Sequence, residues 1–285
     1  MHNDESTPRR SLKEKEYTLD EEKSIKLFSK YGLKVKDRFR LIISSEKGNL
    51  ALQKVLKFFN RNRLRMSSLK ALTAKIDVRS VIPLLMTRVP IRSMIQKLGK
   101  KLRELRNLQQ VQIGWSQVES LSIEETLIDS LSRLKKIRAL SIELADDVNK
   151  INFISKKLAT FKGLNRLELN FAIQRSNILP IFKSIKACSR LKILKIDLSD
   201  CKVSSDLLNR MSETIIKLRS LEYLLIDLNN TEVTTEDITV LKEKIAKHQK
   251  IQYFKVYIYG CPNVSMLMKL QLYMQENWNN MSKLC

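Results

Sequence analysis

Residues 191–200 read LKILKIDLSD, and residues 221–230 read LEYLLIDLNN. Both follow the pattern LxxLxΦxΦ, where Φ is apolar, and the pattern recurs as LKALTAKI from Leu69, LQQVQIGW from Leu108, IRALSIEL from Ile137, LNRLELNF from Leu164 and IQYFKVYI from Ile251. Successive copies start 39, 29, 27, 27, 30 and 30 residues apart. A beat of roughly 20 to 50 residues marks a chain that stacks one small unit on the next, because a lone strand and helix cannot bury their apolar faces.

The order inside a unit follows from its residues. Alternating apolar positions in LxxLxΦxΦ predict a strand with one buried face. Ser204, Ser205 and Asp206 in one copy, and Thr234, Thr235, Glu236 and Asp237 in the next, supply cap oxygens and negative charge for a helix start. Leu207, Leu208, Met211, Ile215 and Leu218 then recur at helical spacing. Strand, turn and helix in repetition predict a parallel sheet with the helices outside.

The stretches LKILKIDLSDCKVSSD and LEYLLIDLNNTEVTTED resemble leucine-rich repeats of the long, ribonuclease-inhibitor-like kind, in a degenerate, protist-type variant. The resemblance covers residues 69–285, and 39–68 in a weaker form. It implies an α/β solenoid, a horseshoe with a parallel inner sheet and outer helices, acting as a non-enzymatic recognition scaffold. The family pattern places asparagine or cysteine in the turn. Cys201 and Cys261 fit it, whereas Asp147, Gln174 and Thr231 hold the matching positions of the other copies.

Around the array, residues 1–17 form a polar tail and 18–38 a capping helix with its linker. Thr18 and Glu21 make a capping-box pair there, and Ile25, Leu27, Phe28 and Tyr31 form an apolar stripe that ends at Gly32. Residues 39–285 are expected to form about seven or eight repeats. The first, 39–68, is degenerate, with FRLIIS as strand and Leu50 to Phe59 as helix. The second, 69–107, is long, and Pro83 and Pro90 predict a broken helix or an extra loop.

With 43% hydrophobic and 29% charged residues the chain has ample material for a core, yet no apolar run approaches the roughly 18 to 20 residues of a membrane span. The first 23 residues lack an apolar stretch and carry seven acids, unlike a secretory signal or a transit peptide. Cys188, Cys201, Cys261 and Cys285 form no CxxC pair, and read as structural thiols of a reducing compartment. An intracellular location in cytoplasm, cilium or nucleus is expected.

Several chemistries lack their residues. None of the six glycines builds GxGxxG or GxxxxGK[ST], and the two histidines, His2 and His248, fall in a tail and at a polar helix end. Without phosphate loops, triads or HExxH, no enzyme, cofactor or metal is expected.

Period-two alternation sends the third, fifth and seventh residues of each LxxLxΦxΦ to the inner, concave surface. These are Ala139, Ser141 and Glu143; Arg166, Glu168 and Asn170; Ile193, Lys195 and Asp197; Tyr223, Leu225 and Asp227; Tyr253, Lys255 and Tyr257. Glu143, Asp197 and Asp227 share a column and repel unless a cation faces them. Ile193, Tyr223, Leu225, Tyr253 and Tyr257 form an apolar, aromatic patch which, with Asp197 and Asp227, is the predicted protein-binding site. The alternative is that the C-terminal tail, with Trp278, folds over it.

Charge is uneven along the chain. Residues 24–107 hold 22 basic and four acidic side chains, whereas 108–285 hold 26 and 19. The basic third contains Arg61, Arg63 and Arg65 in FFNRNRLRM, and Lys97, Lys100, Lys101, Arg103 and Arg106 in KLGKKLRELR. Such density predicts a polyanionic partner, either an acidic protein surface or RNA, with an anionic membrane the weaker option. Phe58 and Phe59 fit a helix core, or alternatively a base stack. The expected function is a scaffold subunit of a larger assembly; the alternative is an RNA-binding structural component of a ribonucleoprotein.

Overall fold

A computed structural model describes residues 38–44, 71–77, 91–116, 123–144, 148–171, 177–269 and 272. Eight strands, β1 (Arg38–Ser44), β2 (Ala71–Asp77), β3 (Gln110–Ser116), β4 (Ala139–Leu144), β5 (Arg166–Phe171), β6 (Ile193–Asp197), β7 (Tyr223–Asp227) and β8 (Tyr253–Tyr257), form one sheet in chain order. Every pair is parallel. In register, Ala71 lies beside Gln110, then Ala139, Arg166, Ile193, Tyr223 and Tyr253. Each is the third residue of its LxxLxΦxΦ copy, so the spacing in sequence is the register of the sheet.

The helices among the described residues are α1 (Ile91–Glu104), α2 (Ile123–Ser132), α3 (Val148–Leu158), α4 (Leu179–Ile185), α5 (Ser205–Ile215) and α6 (Thr235–Ala246). One described helix lies in sequence between each consecutive pair of strands from β2 to β8. The result is a solenoid-like α/β arrangement whose rungs are a strand and the helix after it. None of the described helices is long and apolar enough to cross a membrane.

Alternation places the core. Leu194 and Ile196 of β6, and Leu224 and Ile226 of β7, are fully buried, and their odd-numbered neighbours are half-buried. Leu208, Met211 and Ile215 of α5, with Ile238, Leu241 and Ile245 of α6, pack into the same continuous core, as does Leu218. Leu207, expected in that stripe, is only half-buried.

Local chemistry starts and ends each rung. The Ser204 side chain accepts the Leu207 N–H, and Thr234 with Asp237 forms a reciprocal capping box. At the strand starts, the carbonyls of Arg138, Asn165, Lys192 and Glu222 each accept two N–H groups from the next rung at 2.7–3.1 Å. At the strand ends, Asp200, Asn230 and Gly260 adopt left-handed backbone at φ 59°, 57° and 72°. Asparagine, aspartate and glycine tolerate that region best. The Asn230 amide donates to Asp200 Oδ1 at 3.1 Å, and a Cβ on Gly260 would fall 2.0 Å from Asn230 Oδ1.

The turn thiols are structural. Cys201 Sγ donates to the Phe171 carbonyl at 2.9 Å, and Cys261 Sγ to the Leu228 carbonyl at 3.0 Å, each reaching the preceding rung. Thr231, at the matching position between them, turns its hydroxyl to the Leu228 carbonyl at 2.7 Å. Buried Cys188 has its thiol pushed up by burial to about 11. The expected helices near residues 18–32 and 50–59, and positions Asp147 and Gln174, lie outside the described residues. Helix α1 begins directly after Pro90.

Candidate partner-binding face

The face of the sheet opposite the helices carries three rows in register. The first runs Ala139, Arg166, Ile193, Tyr223, Tyr253; the second Ser141, Glu168, Lys195, Leu225, Lys255; the third Glu143, Asn170, Asp197, Asp227, Tyr257. The predicted site residues Ile193, Tyr223, Leu225, Tyr253, Tyr257, Asp197 and Asp227 therefore lie together on three adjacent strands. A parallel sheet spaces such neighbours about 4.8 Å apart, so side chains in one row pack flank to flank.

That packing sets their exposure. The Tyr223 and Tyr253 rings stack with centroids 4.4 Å apart and planes 7° from parallel. All seven residues are half-buried. Each ring covers one face of its neighbour. Burial pushes the Tyr253 hydroxyl above its ordinary range, and adjacent Tyr223 adds to the shift. Lys255 Nζ sits 4.2 Å from the Tyr257 ring centroid, so the patch ends in a cation over an aromatic face.

In the acidic column Asp197 and Asp227 lie side by side, and turn donors bond each of them. Asn170 separates Glu143 from Asp197 in the register. Asp197 Oδ1 accepts from the Ser199 N–H at 3.0 Å and the Ser199 hydroxyl at 2.6 Å, and Asp227 Oδ1 accepts from the Asn229 N–H at 3.0 Å. Burial pushes the Asp227 carboxyl above its ordinary range; the Asn229 bond opposes that shift, while Asp197 and Asp200 reinforce it. Toward β5 the face is ionic. Glu168 accepts from Arg166 at 2.6 Å and lies 3.2 Å from Lys195. Burial raises the Glu168 carboxyl, but Arg166 and Lys195 outweigh it and hold the group below its usual range.

The predicted polyanion residues divide three ways. Arg61, Arg63 and Arg65 lie outside the described residues, as do Phe58, Phe59 and Trp278. Lys97, Lys100 and Arg106 are exposed, on and just after α1. Lys101 is half-buried and pairs with Glu104 at 3.1 Å, and Arg103 folds back toward the Gly99 carbonyl at 3.5 Å. Those two are committed to their own helix, because the helix places i+3 and i−4 groups within reach.

Alternation did not reveal the most exposed large apolar residues among those described: Tyr259, Met266 and Leu267, at 83%, 70% and 67% exposure. They follow β8, beyond the last strand pattern. His248, read as part of a polar helix end, is a bridge between rungs: Nε2 lies 3.0 Å from the Leu218 carbonyl and Nδ1 accepts the Lys250 N–H at 3.2 Å. Among the described residues, no group of three or more His, Cys, Asp or Glu is placed to hold a metal ion.

Fold and face together define a class, a repeat-like α/β protein with one all-parallel sheet and, on the side away from the helices, a half-buried, mixed aromatic and acidic face. Compared with known proteins, the chain matches no family model and no curated protein.

Proposed function

We propose that this chain is a leucine-rich-repeat scaffold of the horseshoe type, a non-catalytic intracellular subunit of a larger assembly. It binds a protein through the concave C-terminal part of the sheet and an acidic partner through the basic residues of the first third. The observation that carries this reading is the stacked Tyr223–Tyr253 pair, flanked in register by Ile193, followed along β7 by Leu225 and bordered by Asp197 and Asp227. Stiff aromatic surface beside a few fixed polar groups is what protein-binding hot spots are made of.

The test is a native pull-down with Tyr223→Ala/Tyr253→Ala. Because both side chains are only half-buried, the variant is expected to keep its fold by circular dichroism while losing a defined set of co-purifying proteins. Retention of the whole set would refute the patch. A second reading, an RNA-binding component of a ribonucleoprotein, is favoured by the exposure of Lys97, Lys100 and Arg106. It predicts that ribonuclease treatment strips the bound material.

A further inference from the structure

The six segments that run into strands β3 to β8 are residues 105–109, 133–138, 159–165, 186–192, 216–222 and 247–252. Because every strand is parallel, all six reach the sheet at the same edge. They hold thirteen basic side chains: Arg106; Arg133, Lys135, Lys136 and Arg138; Lys162; Lys186, Arg190 and Lys192; Lys217 and Arg219; Lys247 and Lys250. All thirteen are exposed, and the segments contain one acid, Glu222. At the opposite edge, the segments 198–204 and 228–234 carry Asp200 and Glu232 against Lys202.

Among the described residues, little neutralises this edge. Among the described residues, two of the thirteen make an ion pair, Lys192 with Glu222 at 2.7 Å and Arg133 with Asp129 at 3.4 Å. Lys136 donates to Asn107 Oδ1 and Arg138 to the Gly163 carbonyl. Helix dipoles favour cations, but only within the last turn. The edge continues past the helix ends to Arg138 and Lys192, where each strand begins. Stacked cations on successive rungs repel, so the arrangement fits a polyanion laid across the rungs.

Charge density selects the kind of polyanion. Six rungs spaced about 4.8 Å apart span roughly 24 Å. A nucleic-acid duplex carries one negative charge per about 1.7 Å of axis, hence about 14 charges over that length. The edge offers thirteen cations against one acid. An extended acidic peptide, at about 3.3 Å per residue, supplies at most about 7 charges over the same distance. Base stacking is also unsupported here, because the one Phe, Tyr or Trp in the six segments, Phe161, is buried, and the half-buried His248 ring is held by the Leu218 carbonyl and the Lys250 N–H. A single strand held without sequence preference uses exposed aromatic platforms. We propose that this basic edge is a binding surface for the phosphate backbone of a nucleic-acid duplex, separate from the protein-binding face.

Fluorescence anisotropy with labelled 24-base-pair RNA and DNA duplexes, single-stranded RNA and poly-glutamate, over a salt series on the full chain, tests this. Duplex binding is expected to weaken with salt at a log–log slope near −0.9 per phosphate contacted. Lys186→Ala/Arg190→Ala/Lys217→Ala/Arg219→Ala removes four contacts and should shallow the slope by about 3.6, so its affinity loss between 50 and 200 mM salt is on the order of 100-fold smaller than that of the unaltered chain. The control Lys156→Ala/Lys183→Ala/Lys202→Ala/Arg210→Ala removes as much charge from exposed positions elsewhere and should retain most of the slope. The two halves of the edge variant, made as doubles, should each give about half the change, which guards against a folding defect in the quadruple. Equal RNA and DNA affinity marks pure phosphate recognition; a preference for RNA marks contacts to the 2′-hydroxyl in addition. The proposal is overturned if poly-glutamate or single-stranded RNA binds more tightly than either duplex, or if edge and control variants behave alike.

Discussion

The Leu228 carbonyl, fully buried at the end of β7, accepts from two side chains, Thr231 Oγ1 at 2.7 Å in its own rung and Cys261 Sγ at 3.0 Å in the next. Removing one donor leaves the other in place. Thr231→Val keeps the side-chain shape and Cys261→Ala deletes only a thiol, so each alone should cost about 1 kcal/mol, the net worth of an ordinary hydrogen bond. Removing both orphans a carbonyl that water does not reach, with a desolvation penalty of about 1–3 kcal/mol. The double variant should therefore lose more than the sum of the singles, by on the order of 1 kcal/mol, a coupling typical of groups that share a partner. Urea unfolding followed by circular dichroism measures it. Cys188 lies elsewhere, its thiol facing the Leu158 carbonyl, so Thr231→Val/Cys188→Ala serves as a control expected to be additive within about 0.5 kcal/mol. An additive Thr231→Val/Cys261→Ala pair would show that the two donors do not converge on one acceptor.

Two further outcomes are expected. Alternation across β7 makes Leu224→Ala costly, about 2–5 kcal/mol for a fully buried leucine, whereas Leu225→Ala on the half-buried face should cost clearly less; comparable melting temperatures for the two would mean the register is wrong. Asp227 and Asp129 should respond to pH with opposite signs. The folded Asp227 carboxyl is raised by burial, so its contribution is present below the ordinary 3.8 and lost as pH rises through the folded value; Asp227→Asn should melt higher than the unaltered chain at pH 7, with the gap closing in acid. Asp129 is lowered by the hydrogen bond from Lys157, burial opposing, so its contribution is present above 3.8 and lost as pH falls through the folded value. Asp129→Asn should melt lower at pH 7, with the gap likewise closing in acid.

The ladder of apolar positions was legible because burial in a parallel sheet is a local rule. A residue's place in LxxLxΦxΦ decides which way it points, and the 27- and 30-residue intervals reappear unchanged as pairings between β4 and β8. Ser204 and Thr234 were legible as caps for the same reason, each acting within three residues. What escaped depends on neighbours a whole rung away. Alternation named Tyr223 and Tyr253, but their stacking, and so their half-buried state, arises only when strands 30 residues apart are laid side by side. The repulsion expected between Asp197 and Asp227 is present, and the turns that follow them add donors from Ser199 and Asn229 that alternation does not show. The basic edge is harder still to see, because it is assembled from short segments. Along the chain those cations alternate with acids and give 108–285 only a mild excess; the topology sorts them to one side.

The sheet order carries a mechanical consequence. Each strand is bonded only to the one before and the one after, and those bonds run along the axis of the stack, across the strands. Tension applied along that axis therefore loads one strand junction at a time, in an unzipping geometry. Each released rung frees 27 to 30 residues between β4 and β8. At about 3.5 Å per extended residue, that lengthens the chain by roughly 100 Å per step. Under such tension, the stretch from β4 to β8 behaves as an extensible tether that yields in nearly equal increments, absorbing work rung by rung.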